Sequence, residues 1–248
     1  MKTFSYTVCF GACVCGLVCV ARADETSPAT AVIDKAIKAQ WGTRRVAPDG
    51  ALICTIKTRL RNAKLDYTLS SKLTLQGIDH YRAESNGVYA EIHIRQVMVL
   101  SGEEGWSKNR DVVTELIDLS NLKSKVYRKA VSLMPWYLKT QGFKIGAAVD
   151  ATIGGRPATA IKIIGPDEGE FRLFFDKQTD LLVQLTTSYE MGDRTEMQTT
   201  TFADYKDFGG IKMATRIETK YGDALIIEET LMDVTRVNTV SPSAFAKP

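Results

Sequence analysis

Two periodicities divide this chain. From Ala29 onward, Val32, Ile33, Ala36, Ile37 and Trp41 recur at intervals of three and four, the spacing of one buried stripe on a helix. Ser27 stands where an N-cap is needed, Pro28 fits the first turn, and Gly42 can end the helix. After Gly50 the period drops to two. Leu65, Tyr67, Leu69, Leu73 and Leu75 alternate with Asp66, Thr68, Ser70, Lys72, Thr74 and Gln76, which predicts a strand with one dry and one wet face. Turn chemistry predicts hairpins at Asn86-Gly87, at Gly154-Gly155, between Asp176 and Asp180, and at Gly222-Asp223. Flanking strands are read at Phe171–Phe175, Leu181–Leu185 and Ile211–Ile217. A second helical stripe runs through Leu122, Val126, Ala130, Val131 and Met134. Pro135 kinks or restarts that helix, and Gly142 can close it. No linker, internal repeat or low-complexity segment interrupts the pattern.

The order predicts one α+β domain: a large antiparallel sheet with one apolar face, and two or three helices to cover it. Many twisted antiparallel strands curl, so one face becomes concave. A concave apolar face is either packed solid by helices or left to a ligand, and the pattern leaves both open.

Register follows from the first hairpin. If Asn86-Gly87 is a two-residue turn, Ser85 pairs with Val88, Arg82 faces Glu91, and His80 faces His93 on the wet face. Two imidazoles fall short of the three or four protein ligands of a transition-metal site, so they are read as solvated surface side chains, with no metal. Cys54 shares the parity of Ile56 and Leu60 and is read as a buried structural thiol.

The N-terminus adds an address. Lys2 precedes an apolar run of 17 residues from Phe4 to Val20, followed by Ala21-Arg22-Ala23. That layout is a secretory signal peptide over residues 1–23, leaving residues 24–248 as the mature domain. Four of the five cysteines lie in the signal. The remaining Cys54 has no partner for an internal disulfide, so packing must stabilise the domain in an oxidising compartment. Loss of Lys2 and Arg22 with the signal reduces the formal charge from +3 to +1. So weak a net charge gives no overall field for nucleic acid. Hydrophobic residues at 44% and charged residues at 25% exclude wholesale disorder.

Catalytic chemistry is not legible. There is no G-x-S-x-G, no H-E-x-x-H, no phosphate-cradling glycine loop and no metal-spaced cysteines. Glu103-Glu104 and Glu228-Glu229 are adjacent, so on strands the two carboxylates of each pair point to opposite faces. The acidic segment Gly165–Glu170 lacks calcium-loop spacing and reads as a hairpin tip.

Several stretches resemble the LolA-like family of outer-membrane lipoprotein-sorting proteins. They are Ser101-Gly-Glu-Glu-Gly-Trp106, Gly154-Gly-Arg-Pro-Ala158, Phe174-Phe-Asp-Lys-Gln-Thr-Asp-Leu-Leu-Val183, Asp204-Tyr-Lys-Asp-Phe-Gly-Gly-Ile-Lys-Met-Ala-Thr215 and Ser243-Ala-Phe-Ala-Lys-Pro248. With their spacing they cover the chain from about Leu52 to the end. The resemblance implies an incomplete antiparallel barrel closed by helices, a periplasmic location, and a hydrophobic cavity able to hold acyl chains. It implies a non-enzymatic carrier without cofactor, acting as a monomer on a lipid or the acyl chain of a lipoprotein, with membrane-associated donor and acceptor proteins. The alternative is a periplasmic sensor or scaffold that uses the same fold for protein contacts. Parity supplies a candidate cleft lining: Met98, Leu100 and Trp106; Phe171, Leu173 and Phe175 on one strand; Val126, Met134, Trp136 and Tyr137 from the helices. A break at Pro135 further suggests that the segment carrying Trp136 and Tyr137 is a movable cover.

Cleavage after Ala23 predicts Asp24 as the first residue of the exported protein. Edman sequencing of the periplasmic fraction checks this, and an intact Met1 start in a membrane fraction would overturn it.

Overall fold

The computed structural model describes residues 27–248 apart from 141, 192–193 and 223–224. The signal reading and Asp24 therefore lie outside the described residues. The first helix, α1 (Pro28–Trp41), begins as its sequence requires. Ser27 Oγ accepts from the Thr30 amide at 3.2 Å, and Gly42 closes the helix at φ 58°. One buried stripe of α1 includes Ala29, Ile33, Ala36, Ile37 and Trp41.

Thirteen strands follow. The first six are β1 (Ala51–Arg61), β2 (Asp66–Gln76), β3 (His80–Tyr89), β4 (Ile92–Ser101), β5 (Glu104–Asn109) and β6 (Val112–Glu115). After the helix α2 (Ser120–Leu133) and a short 3-10 turn (Pro135–Lys139) come β7 (Lys144–Ile153), β8 (Arg156–Ile164), β9 (Glu170–Asp176) and β10 (Leu182–Met191). The last three are β11 (Arg194–Asp207), β12 (Lys212–Tyr221) and β13 (Leu225–Val237). They form one sheet in the order β6-β5-β4-β3-β2-β1-β13-β12-β11-β10-β9-β8-β7. Every pairing is antiparallel, and the sheet does not close into a barrel.

That order has a simple logic. The chain meanders outward from β1 to one edge at β6, crosses the concave face through α2, and meanders inward from β7 to β13. The two meanders join where β13 pairs with β1, Cys54 opposite Val234 and Ile56 opposite Leu231. Met232 is the extra residue of a bulge there, 58% exposed, and it returns Val234 to the inner face. Because β6 and β7 lie at opposite edges, the connection carrying α2 must span the sheet, and its apolar stripe packs on the inner face.

The inner face is filled in two halves. α1 shares one core cluster with β8, β9 and β10, in which Ile33 and Ile37 join Ile161, Phe171, Leu173 and Leu185. The inner stripe of α2 packs Leu122, Val126, Ala130, Leu133 and Met134 onto Leu52, Leu73, Leu75 and Leu100. Cys54 is fully buried in this second half, and burial pushes its thiol pKa up to about 12. On the convex face Val99 and Trp106 are covered by Phe245 of the C-terminal 3-10 turn. The predicted hairpins at Gly154-Gly155, Asp176–Asp180 and Gly222 lie where the strands turn, and Asp176 Oδ1 accepts from the amides of Gln178 and Thr179 at 3.0 and 2.9 Å. Pro135 restarts the chain as a 3-10 turn.

The first hairpin corrects the sequence reading. Its turn is Ala90-Glu91, both at positive φ (46° and 64°), and Asn86-Gly87 lie inside β3. His80 therefore pairs with Ser101 and His93 with Val88, so the two histidines are not opposed. Arg82 pairs with Val99, and its Nε donates to Glu84 at 2.6 Å. The reason is burial. The observed register sets Tyr81 opposite Leu100 on one side and Leu75 on the other, all three buried. It gives ten cross-strand pairs, against the few that a turn at Asn86-Gly87 would allow. Gly87 answers a different demand: a Cβ there would meet the Thr68 carbonyl oxygen at 2.5 Å and the Leu69 side chain at 2.6 Å.

This register is directly testable. Val88 is 50% exposed and His93 is exposed on the same outer face. The pair Val88→Cys with His93→Cys is expected to form a disulfide under mild oxidation, whereas His80→Cys with His93→Cys is not, as read by non-reducing electrophoresis.

Candidate functional site

The two packed halves leave a gap. Beside the α2 stripe that enters the core, a second stripe of the same helix, Asn121, Lys125, Arg128, Lys129 and Ser132, lines one side of that gap. The spacing of four, three, one and three keeps them on one face. Between them and the sheet lies a cavity of about 490 Å³, within the range of small-molecule sites. Its floor is apolar where β1, β2 and β13 meet, with Ile56, Leu60, Leu69, Leu73 and Ile227. The far wall adds Leu185, Phe202 and Ile217. Ser71 and Ser85 share a hydrogen bond at 2.8 Å, Thr200 and Thr219 share one at 2.9 Å, and Tyr189 stacks edge-on to Tyr221 at 5.1 Å. All six line the cavity. The wall hydroxyls are thus largely engaged with the protein itself.

One acid enters this space. β13 alternates Ile227, Glu229 and Leu231 on the inner face, and Glu229 takes an otherwise apolar position. Its neighbour Glu228 points outward and accepts from Arg61 at 2.9 Å. Lys129 Nζ donates to Glu229 Oε2 at 2.8 Å, and both side chains keep about a fifth of their exposure, 20% and 21%. Burial alone pushes the Glu229 carboxyl up. The charge and hydrogen bond of Lys129, with Lys125 beyond it, outweigh that effect and hold the carboxyl below the ordinary glutamate range. Burial likewise opposes the charge on Lys129, but Glu229 outweighs it and raises the ammonium pKa. Tyr81 sits beside this pair, its phenol pushed up to about 12, chiefly by burial.

Lys125 and Arg128 are placed differently. Lys125 is exposed on the cavity side of α2, and partial desolvation there lowers its pKa in spite of Glu229. Arg128 is lowered from its ordinary value by burial, and its guanidinium donates to Ser124 Oγ one turn earlier. Among the described residues neither has a carboxylate within 4.0 Å.

Of the ten residues singled out by parity, Met98 lines this cavity. Leu100, Val126 and Met134 are fully buried in the core beneath α2. Phe171, Leu173 and Phe175 are buried under α1. Trp136 and Tyr137 lie in the seam between the two packed halves, where Trp136 meets Trp41 edge-on at 4.6 Å and lies under Arg45 at 5.3 Å. Trp106 is on the convex face, since its partner Val99 has the opposite parity to Met98 and Leu100. Sequence reasoning missed the four charged residues. Two signals could have found them: a helical polar stripe through positions 121, 125, 128, 129 and 132, and an acid on the dry parity of β13. No cluster of three or more metal-ligating side chains is present among the described residues.

Solved structures share this architecture. A LolA-superfamily protein from Nitrosomonas europaea matches with a TM-score of 0.61 at 12% identity, over 88% of this chain and 97% of that one. A domain named as an outer-membrane lipoprotein-sorting protein from Vibrio parahaemolyticus gives 0.59 at 16% identity, over 87% and 96%. A DUF1329-family protein from Desulfovibrio piger gives 0.57 at 11% identity, over 89% and 98%. No protein-family model and no curated protein matches the chain. The fold is LolA-like.

The Lys129–Glu229 pair sets a stability prediction. Glu229→Gln leaves a half-buried ammonium without its carboxylate and is expected to lower stability by about 1–3 kcal/mol, less than the loss of a fully buried pair. At about 2–4 °C per kcal/mol, thermal melts at pH 7 will resolve it. Since the folded carboxyl pKa lies below its unfolded value, this stabilisation is present above the unfolded pKa and is lost as pH falls through the folded one. The gap between wild type and Glu229→Gln should therefore be full above the ordinary glutamate pKa of about 4.3 and narrow progressively in melts taken at pH values below it.

Proposed function

We propose that this chain is an exported periplasmic binding protein that holds an acyl chain, free or attached to a protein, between the concave sheet and α2. The observation that carries the reading is the open cavity on an apolar floor. Desolvation does the binding: each methylene moved from water onto that floor contributes about 0.8 kcal/mol, so a chain needs a dry surface more than directed polar groups. A leader-like N-terminus supports export, and among the described residues no helix is long and apolar enough to cross a membrane. The likeness to a domain named for lipoprotein sorting supports lipid-modified protein as one form of cargo. In this reading the protein carries and releases; it does not transform its ligand.

An uncharged, environment-sensitive acyl dye such as a pyrene-labelled long-chain alcohol tests it. Saturable binding at one site is expected, displaced by a lipopeptide. Ala83→Trp puts an indole into the cavity wall and should weaken binding at least tenfold, because several methylenes lose their place on the floor. Absence of saturable binding, or indifference to Ala83→Trp in a folded variant, would reject the proposal.

A further inference from the structure

The ceiling of the cavity is cationic, and its charge is unbalanced. Lys125, Arg128 and Lys129 all come from the polar stripe of α2, and Glu229 is the one acid among the described residues that line the cavity. Lys129 occupies that acid at 2.8 Å. Lys125 and Arg128 remain, three positions apart on the helix, which sets their Cβ atoms about 5–6 Å from each other. Two flexible cationic side chains at that separation can close on a single anion. Arg128 offers planar donors suited to a carboxylate or phosphate, and Lys125 adds a point charge.

An anion would relieve a repulsion that the helix builds in. Like charges three positions apart on one helix face repel, and Arg128 is partly buried while Lys125 is exposed beside it. Glu229 and Asp167 reach Lys125 and Arg128 only through space, beyond ion-pair distance. The phenol of Tyr221 faces both cations from β12. A shell of purely apolar cargo would leave this corner uncompensated. Beyond the Lys129–Glu229 pair the floor, with Leu69, Leu73 and Ile227, is apolar. The site is therefore two-ended, one end dry and the other positive.

We propose that the cavity selects an anionic amphiphile, its tail on the floor formed by β1, β2 and β13 and its carboxylate or phosphate head held by Lys125 and Arg128. The inference rests on the acyl-binding reading above and adds the head to the tail. Lys129 and Glu229 act as a fixed pair that keeps the acid away from the head and leaves the other two cations available.

The test compares two probes that share one tail. cis-Parinaric acid and its methyl ester carry the same fluorescent chain and differ by one charge at pH 8. The acid is expected to bind at least tenfold more tightly than the ester, since it alone can accept charge-assisted hydrogen bonds from both side chains. In the double variant Lys125→Met with Arg128→Met the ratio should fall to near one, and in Arg128→Lys, which keeps the charge, a preference for the acid should persist. Competition by lysophosphatidic acid against lysophosphatidylcholine of the same chain length identifies the head. Stronger displacement by the former than by the free fatty acid assigns a phosphate, and the reverse assigns a carboxylate. Equal affinity of wild type for acid and ester would overturn the inference while leaving the acyl-binding reading intact. A ratio that survives undiminished in the double variant would overturn the assignment to Lys125 and Arg128. If neither probe binds, both proposals fail together.

Discussion

The C-terminus of α2 is held by side chains from α1, and the cavity depends on that hold. The last carbonyls of a helix have no partner within it. Here the Trp41 indole donates to the Leu133 carbonyl at 2.8 Å, and the Gln40 amide reaches the Ser132 and Leu133 carbonyls at 3.3 and 3.2 Å. Both donors are buried, Trp41 completely. Left unpaired in that environment, a carbonyl would cost about 1–3 kcal/mol. The same two residues close α1, so one cluster of hydrogen bonds fixes the end of each helix against the other. Trp136 packs edge-on against Trp41 and lies under Arg45, so the 3-10 turn after Pro135 belongs to the same assembly.

With its C-terminal end pinned over the core, α2 presents two faces at once. The Leu122–Val126–Ala130–Leu133 stripe is drawn into the sheet by burial. The adjoining polar stripe is thereby brought beside the cavity, because the apolar stripe next to it is fixed on Leu52, Leu73, Leu75 and Leu100. The charges in the cavity follow from this topology. A lysine and a glutamate that would be ordinary on an exposed surface become a half-buried pair that holds both side chains in one geometry. Two further cations, Lys125 and Arg128, line the same cavity without a carboxylate of their own among the described residues. The sheet contributes the complementary half: hydroxyls bonded to one another along the walls, and a dry floor where the two meanders join.

This division bears on how the molecule handles an apolar ligand. Core packing under α1 and under the inner stripe of α2 is dense, with Ile161, Leu173, Leu100 and Met134 all but inaccessible. Those regions specify the fold and have no room to give. The cavity lies where a helix touches the sheet through charged and small polar groups, contacts that can rearrange without opening the core. Stability and binding are thereby assigned to different stripes of one helix.

Much of the fold is written in periodicity. Ser27, Pro28 and Gly42 bound α1; the alternation from Leu65 to Gln76 is β2; Leu122 to Met134 marks α2; Cys54 and Ile56 lie on the dry parity of β1. These are local properties, fixed by which residues share a face. What tertiary structure decided is pairing across elements. Asn86-Gly87 carries turn chemistry, yet the turn is Ala90-Glu91, because burying Tyr81 between Leu75 and Leu100 outweighs the strain of two non-glycine residues at positive φ. Trp106 alternates correctly along β5 and still faces outward, since only the neighbouring strand and Phe245 determine which side is covered. Parity identifies a dry face but not whether helix atoms or empty space lie against it, so Leu100 and Met98, two residues apart on one face, end in solid core and in cavity wall. Lys125, Arg128 and Glu229 were invisible for the same reason: a charged residue reads as solvent-facing until a second element, distant in sequence, is laid over it.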